Sequence, residues 1–182
     1  MFTKREDIEN KIIECIEKSK KYKGVGEVAS YIPELENVDK DAFALSIVTT
    51  SGDVYNFGES EKIFSVQSIS KIFTLIMALK DNTIDEVFSK VGTEPTKYEF
   101  NSLIPIDQRA ANPFINAGAI TTTSMIYGKS KEEKFGRVIE LIDEMSQGGN
   151  FSFMEDIYKS EISTTDRNRA IAYYLKSKNI FN

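Results

Sequence analysis

Ser68-Ile69-Ser70-Lys71 runs directly into Ile72-Phe73-Thr74-Leu75-Ile76-Met77-Ala78-Leu79. The apolar octet is far shorter than the ~20 residues a bilayer requires, so it reads as a central, fully buried helix. The run before it, Lys62-Ile63-Phe64-Ser65-Val66, is strand-like. A serine and a lysine three positions apart share a helix face, so Lys71 reaches Ser68 if both sit in the first turn. Burial favours the neutral amine, which can then take the serine proton. Amide N–H groups at the helix start, including that of Ser68, offer a partly positive site for a developing oxyanion. Ser70 is a rival nucleophile on a different face. Ser-x-x-Lys is a weak pattern by spacing alone; its place at a strand–helix junction strengthens it.

Composition narrows the chemistry. There is no histidine and a single cysteine among 182 residues. That excludes a Ser-His-Asp triad, a Cys-His pair and any histidine-ligated metal within the chain, and neither a metal nor a cofactor is expected. A lysine, a tyrosine or a carboxylate has to serve as the base. The apolar share of 41% and charged share of 28% are those of an ordinary soluble globular protein of one domain or two small ones. The net charge of −5, without a dense basic patch, points away from nucleic acid and from an anionic membrane surface. Lys18 to Lys23 reads as a solvated face. No apolar run is long enough for a transmembrane span, and Met1-Phe2-Thr3-Lys4-Arg5-Glu6-Asp7 lacks the apolar stretch of a signal peptide. Cys15, beside Ile12, Ile13 and Ile16, reads as a small buried hydrophobe; a lone cysteine fits a reducing, cytoplasmic setting.

The period of apolar residues predicts a helix over 4–21 with Ile8, Ile12, Cys15 and Ile16 on one face, ended by Gly24-Val25-Gly26. Ala29 to Leu35 reads as a turn-rich connector. Ala42 to Thr49 and Val54 to Phe57, around Thr50-Ser51-Gly52-Asp53, form a hairpin signature. Beyond the octet, a helix from Thr83 to Lys90 has Asn82 as its candidate cap. A loop-rich region spans 91–113, and helices are expected over 114–127, 131–145, 153–160 and 166–176. The 131–145 helix carries a stripe of Phe135, Val138, Ile139, Ile142 and Met145. The reading is α+β: residues 1–80 hold a helix, a hairpin and the nucleophile helix, and 81–182 are mostly helical.

Other polar residues interrupt apolar or small-residue contexts. Asn116, within Phe114-Ile115-Asn116-Ala117-Gly118-Ala119, can bond a polar ligand or merely satisfy a loop. Glu161 and Asn168 bracket Ile162 to Arg167. Taken alone, Glu161 is an ordinary surface or cap residue, and Tyr31, before Ile32-Pro33, is a packed anchor.

Several stretches together carry a resemblance: Gln67-Ser68-Ile69-Ser70-Lys71, Tyr31-Ile32-Pro33-Glu34-Leu35, Val91-Gly92-Thr93-Glu94-Pro95, Phe100-Asn101-Ser102, Asn112-Pro113-Phe114-Ile115-Asn116-Ala117-Gly118-Ala119-Ile120, and Ser160-Glu161 with Arg167-Asn168-Arg169-Ala170-Ile171-Ala172. In this order they resemble the serine-dependent glutaminases, whose fold is like that of β-lactamases and penicillin-binding transpeptidases. The resemblance implies hydrolysis of L-glutamine to L-glutamate and ammonia through a glutamyl ester on Ser68. It makes Lys71 the base, Tyr31 a catalytic tyrosine beside the nucleophile, and Ser68, Asn116, Glu161 and Asn168 the substrate-binding positions. Glu161 suits the substrate ammonium and the amides its carboxylate.

The family's catalytic domain extends further than this chain. A later substrate-binding tyrosine, a second active-site tyrosine, a Ser-Gly strand region and the strands completing the sheet are therefore expected to be lacking. A partial catalytic domain with a small incomplete antiparallel sheet follows, and a truncated, inactive glutaminase is one alternative reading. Another serine acyl-transferase or β-lactam-binding protein of the same fold is a second. Family members commonly form dimers or tetramers, which leaves a homo-oligomer open here.

Overall fold

The computed structural model describes residues 5–103, 106, 108–149 and 151–181. The chain divides into two compact units, Met1–Phe64 and Ser65–Asn182.

In the first unit, helix α1 (Arg5–Ser19) continues into a 3-10 turn at Lys20–Tyr22. Ile8, Ile12 and Ile16 recur every four residues and are half-buried, whereas Cys15 is exposed. The expected burial of Cys15 is thus corrected: at three residues from Ile12 and seven from Ile8, it falls on the flank of the stripe. Pro33 opens a four-residue helix, α2 (Pro33–Glu36), where a plain connector was expected; proline at the first helical position sacrifices no hydrogen bond. The hairpin forms as anticipated. Strands β1 (Ala44–Val48) and β2 (Val54–Gly58) pair antiparallel, with Leu45 opposite Phe57 and Ile47 opposite Tyr55. Leu45, Ile47, Tyr55 and Phe57 lie on the less exposed face, Tyr55 being buried. No strand forms over Lys62–Val66. Ile63 and Phe64 there are largely exposed, and the segment has no strand neighbour among the described residues to satisfy its backbone.

The second unit is helical: α3 (Ser70–Asp81), α4 (Ile84–Lys90), α5 (Asn116–Ser124), α6 (Lys131–Ser146), α7 (Glu155–Ser163) and α8 (Asp166–Ser177). Helix α3 packs against α5 and α6, and α5 against α8. One core gathers Ala78, Val87, Val91, Ala110, Ile115, Ala117, Ile171 and Leu175; a smaller one joins Met77, Ile126 and Leu141. The apolar octet is less buried than expected. Met77 and Ala78 are fully inside, but Ile72 stays exposed and the others are half-buried. The inward side of α6 is Val138, Leu141 and Ile142, while Phe135, Ile139 and Met145 of the expected stripe are exposed.

Helix α4 is capped by Thr83, whose hydroxyl accepts from Glu86 N while the Glu86 carboxylate accepts from Thr83 N. Asn82 instead donates to the carbonyls of Ala78 and Met125 at 2.9 and 3.0 Å. The end of α3 is clamped to α6 by a two-pronged ion pair, Arg137 to Asp81, with both contacts at 2.6 Å. Asp81 also accepts from Tyr127 N at 2.7 Å. Its side chain is only 6% exposed, and the guanidinium beside it holds its carboxyl below the usual range.

Candidate active site

The site grows from the start of α3. Ser68 lies on a 3-10 turn, Gln67–Ile69, that feeds the helix without a break. Gln67 adopts a positive φ of 45°, a conformation that non-glycine residues rarely take and that clusters at functional turns. The Ser68 side chain is exposed and makes no hydrogen bond among the described residues. The Ser70 hydroxyl is engaged, donating to Gln67 O at 2.7 Å.

Lys71, one turn on, is half-buried. Its amine donates to Phe114 O at 2.9 Å and to Asn116 Oδ1 at 2.8 Å, and stands 5.5 Å from the centre of the Phe100 ring. Burial pushes its pKa below the ordinary lysine value.

The carbonyl of Phe114 is aimed by the turn ahead of α5. Asn112 Oδ1 accepts from Phe114 N and Ile115 N at 3.0 and 3.2 Å, while its Nδ2 donates to Glu94 O at 2.9 Å. The turn lies tight on the helix: a Cβ at Gly118 would stand 1.8 Å from Asn112 O, so only glycine fits. Asn116, the first residue of α5, donates its backbone N–H to Phe100 O at 2.7 Å. Its side-chain Nδ2 donates to Asn168 Oδ1 at 2.8 Å, at the start of α8. Next to Asn168, Arg167 Nε donates to Asn101 O at 2.9 Å.

Of the residues expected from sequence, Lys71, Asn116 and Asn168 are therefore joined in one hydrogen-bonded line. Ser68 and Glu161 stand outside that line. Glu161 is half-buried on α7, where its carbonyl accepts from Thr164 N at 3.1 Å. Tyr31 is exposed and belongs to the first unit, just ahead of α2. Sequence reasoning did not single out the Phe114 carbonyl, the Phe100 ring or the shaping role of Asn112. A backbone carbonyl leaves no side-chain signal, but an asparagine before a proline marks a turn, and that signal at Asn112-Pro113 would have located this one. Among the described residues, no cluster of metal-ligating side chains is found and no helix is long and apolar enough to cross a membrane.

A serine on the turn leading into a helix, with a desolvated lysine three residues along it, is carried on an α+β, β-lactamase-like fold. Comparison with known proteins narrows this class. Residues 26–182 match the family model described as Glutaminase, and the chain belongs to that family. It is 44% identical over 177 residues to glutaminase 2 of Clostridium perfringens, covering 95% of this chain and 58% of that protein. A glutaminase of Clostridium botulinum is 46% identical over 166 residues, covering 89% of this chain and 54% of that protein. Among solved structures, the probable glutaminase ybaS superposes with a TM-score of 0.85 at 34% identity, over 94% of this chain and 57% of that one. A probable glutaminase of Bacillus subtilis superposes with a TM-score of 0.81 at 28% identity, over 96% and 54% of the two chains. The chain thus spans little more than half the length of the curated relatives it matches.

Proposed function

We propose that this chain carries the serine–lysine machinery of L-glutamine hydrolysis. The observation that carries the reading is the setting of Lys71. A neutral amine has two N–H groups and one lone pair. Phe114 O and Asn116 Oδ1 take both N–H groups, so the lone pair is the direction left to receive the Ser68 proton. The Ser68 oxygen then bonds to the side-chain amide carbon, and the C–N bond breaks as the nitrogen takes the proton back from Lys71 and leaves as ammonia. Water, deprotonated by the same amine, cleaves the glutamyl ester and returns the proton to Ser68 Oγ. Glu161 pairs with the substrate ammonium, the Asn116 and Asn168 amides serve its carboxylate, and Tyr31 assists at the nucleophile.

The family match and the likeness to glutaminase structures support this choice of substrate over a β-lactam or peptide. A B. subtilis probable glutaminase has been solved with 6-diazo-5-oxo-L-norleucine, which supplies the test. Incubation of the chain with this diazoketone should add the reagent, less N2, to Ser68 by mass spectrometry, and Ser68→Ala should abolish the adduct. Ammonia release from L-glutamine should vanish in Ser68→Ala and Lys71→Met. A Ser68 adduct with a labelled penicillin, and none with the diazoketone, would replace this reading with the β-lactam one. The lone cysteine supports a cytoplasmic, reducing setting. A homo-oligomer remains the assembly suggested by family habit, and light scattering on the purified chain tests it.

A further inference from the structure

The line Lys71–Asn116–Asn168 has a polarity that fixes which end of each amide faces which neighbour. We infer that Asn168 is a positioning residue for the base: through a single hydrogen bond it holds the Asn116 amide with its carbonyl turned to the Lys71 amine. The inference rests on the serine–lysine reading above and gives Asn168 a task besides contact with substrate.

In its charged form the Lys71 amine has donors only, so the Asn116 atom 2.8 Å away is an acceptor, Oδ1. The other end of that amide is then a donor, and the Asn168 atom that it meets at 2.8 Å is Oδ1. Asn168 Nδ2 is the one end of the line without a partner among the described residues, and it is a donor, suited to a carboxylate. If Asn168 released it, the Asn116 amide could turn over and offer N–H to Nζ. The amine would lose an acceptor, and its lone pair would be drawn to Asn116 instead of the serine.

The surroundings leave this device unopposed. Facing the amine are the Phe114 carbonyl, the Asn116 amide and the Phe100 ring; burial lowers its pKa, and among the described residues it forms no ion pair with a carboxylate. The charged residues flanking Asn168 on its helix are otherwise engaged, Asp166 with Arg169 at 3.3 Å and Arg167 with Asn101 O. Glu161 on α7 makes no hydrogen bond to the amine.

The test reads Lys71 directly, by NMR titration of its 15N-labelled side chain in the full chain. An acceptor stabilises the ammonium more than the amine. Asn168→Ala should therefore lower the Lys71 midpoint by about half a unit or more, the scale of one net hydrogen bond. Asn168→Asp keeps the acceptor, so its midpoint should hold or rise. Should the alanine variant lose its cooperative melt, Asn168→Thr, too short to reach Asn116 Nδ2, replaces it with the same expected fall. An unmoved or raised midpoint in the shortened variant, or a lowered one in Asn168→Asp, overturns the proposal. The two readings separate cleanly. A fall in the midpoint with no wild-type turnover of glutamine would leave the relay standing and reject the glutaminase reading; turnover without the fall would do the reverse.

Discussion

The two units of the chain are built to different standards. Of the sixteen buried hydrophobic residues described, Ile32 and Tyr55 alone lie in the first unit; the other fourteen lie in the second. The first unit nevertheless has well-formed elements: a fifteen-residue helix held by surface ion pairs such as Lys18–Glu14, and a five-pair antiparallel ladder. Local rules suffice for these, since period-3.6 and period-2 patterning and a turn are all they require. The second unit adds long-range contacts that local rules do not supply: the Asp81–Arg137 clamp, the Asn82 bond to Met125, and the line from Lys71 to Asn168. Elements can therefore be local in origin, whereas a reactive site is not. A hairpin with no third strand beside it among the described residues is marginal by itself, and its amides should exchange with solvent faster than those of α3 and α8.

Asp81→Ala leaves Arg137 without its carboxylate, with only the Tyr127 carbonyl at 2.7 Å to accept from it, and Tyr127 N without its acceptor; it should destabilise the second unit by about 3 kcal/mol, read as a lowered urea midpoint. Hydrogen exchange should rise in α3 and α6 and stay unchanged in β1 and β2. Uniform acceleration would show that the two units unfold as one. Gly118→Ala comes next. Its methyl group collides with the Asn112 carbonyl, so the turn must retreat, at a cost of about 1–3 kcal/mol. Because that turn aims the Phe114 carbonyl at Lys71, acylation of Ser68 should slow as well; an unimpaired acylation rate would mean the turn does not serve the base.

The third prediction concerns pH. The folded-state pKa of Lys71 is lowered, below an unfolded value of about 10.4. Below the folded pKa the lysine is charged in both states and its burial is unfavourable in full. As pH rises from there towards the unfolded value, the unfolded chain binds the extra proton and the penalty fades. The stability of wild type relative to Lys71→Met should therefore increase on the alkaline side. A flat or falling difference in melting temperature would show that Lys71 is not desolvated. The smallest effect is expected in the first unit. The hydroxyl of Tyr55 is buried with no hydrogen-bond partner among the described residues, so Tyr55→Phe should be neutral or stabilising by up to about 1 kcal/mol. A clear loss would reveal a partner for the hydroxyl and bring the two units closer in kind.

The sequence made much of the fold legible. The hairpin, α4, α6 and α8 were anticipated because turn residues, caps and apolar period all point the same way. Among the expectations that failed, three did so for related reasons. Lys62–Val66 has strand composition but no neighbouring strand; Cys15 sits on the flank of its helix; the octet in α3 is covered on one side. Each depends on what lies opposite, which a local pattern does not encode. At the site, the spacing of Ser68 and Lys71 was visible, and the resemblance drew in Asn116 and Asn168. Their bonding to one another, and the part played by the Phe114 carbonyl, arise from residues more than forty positions apart and became evident only in three dimensions.

Helix α3 is twelve residues long, about 18 Å at 1.5 Å per residue. The clamp holds one end, and Lys71, with Ser68 on the turn just ahead, stands at the other, so a rigid α3 acts as a lever with a pinned pivot. A tilt of roughly 3° at the pivot displaces the far end by about 1 Å, an error of the size that can slow a reaction by about 10²-fold. Arg137, remote from Ser68 along the rod, is thus placed to govern alignment by angle, as a setscrew does.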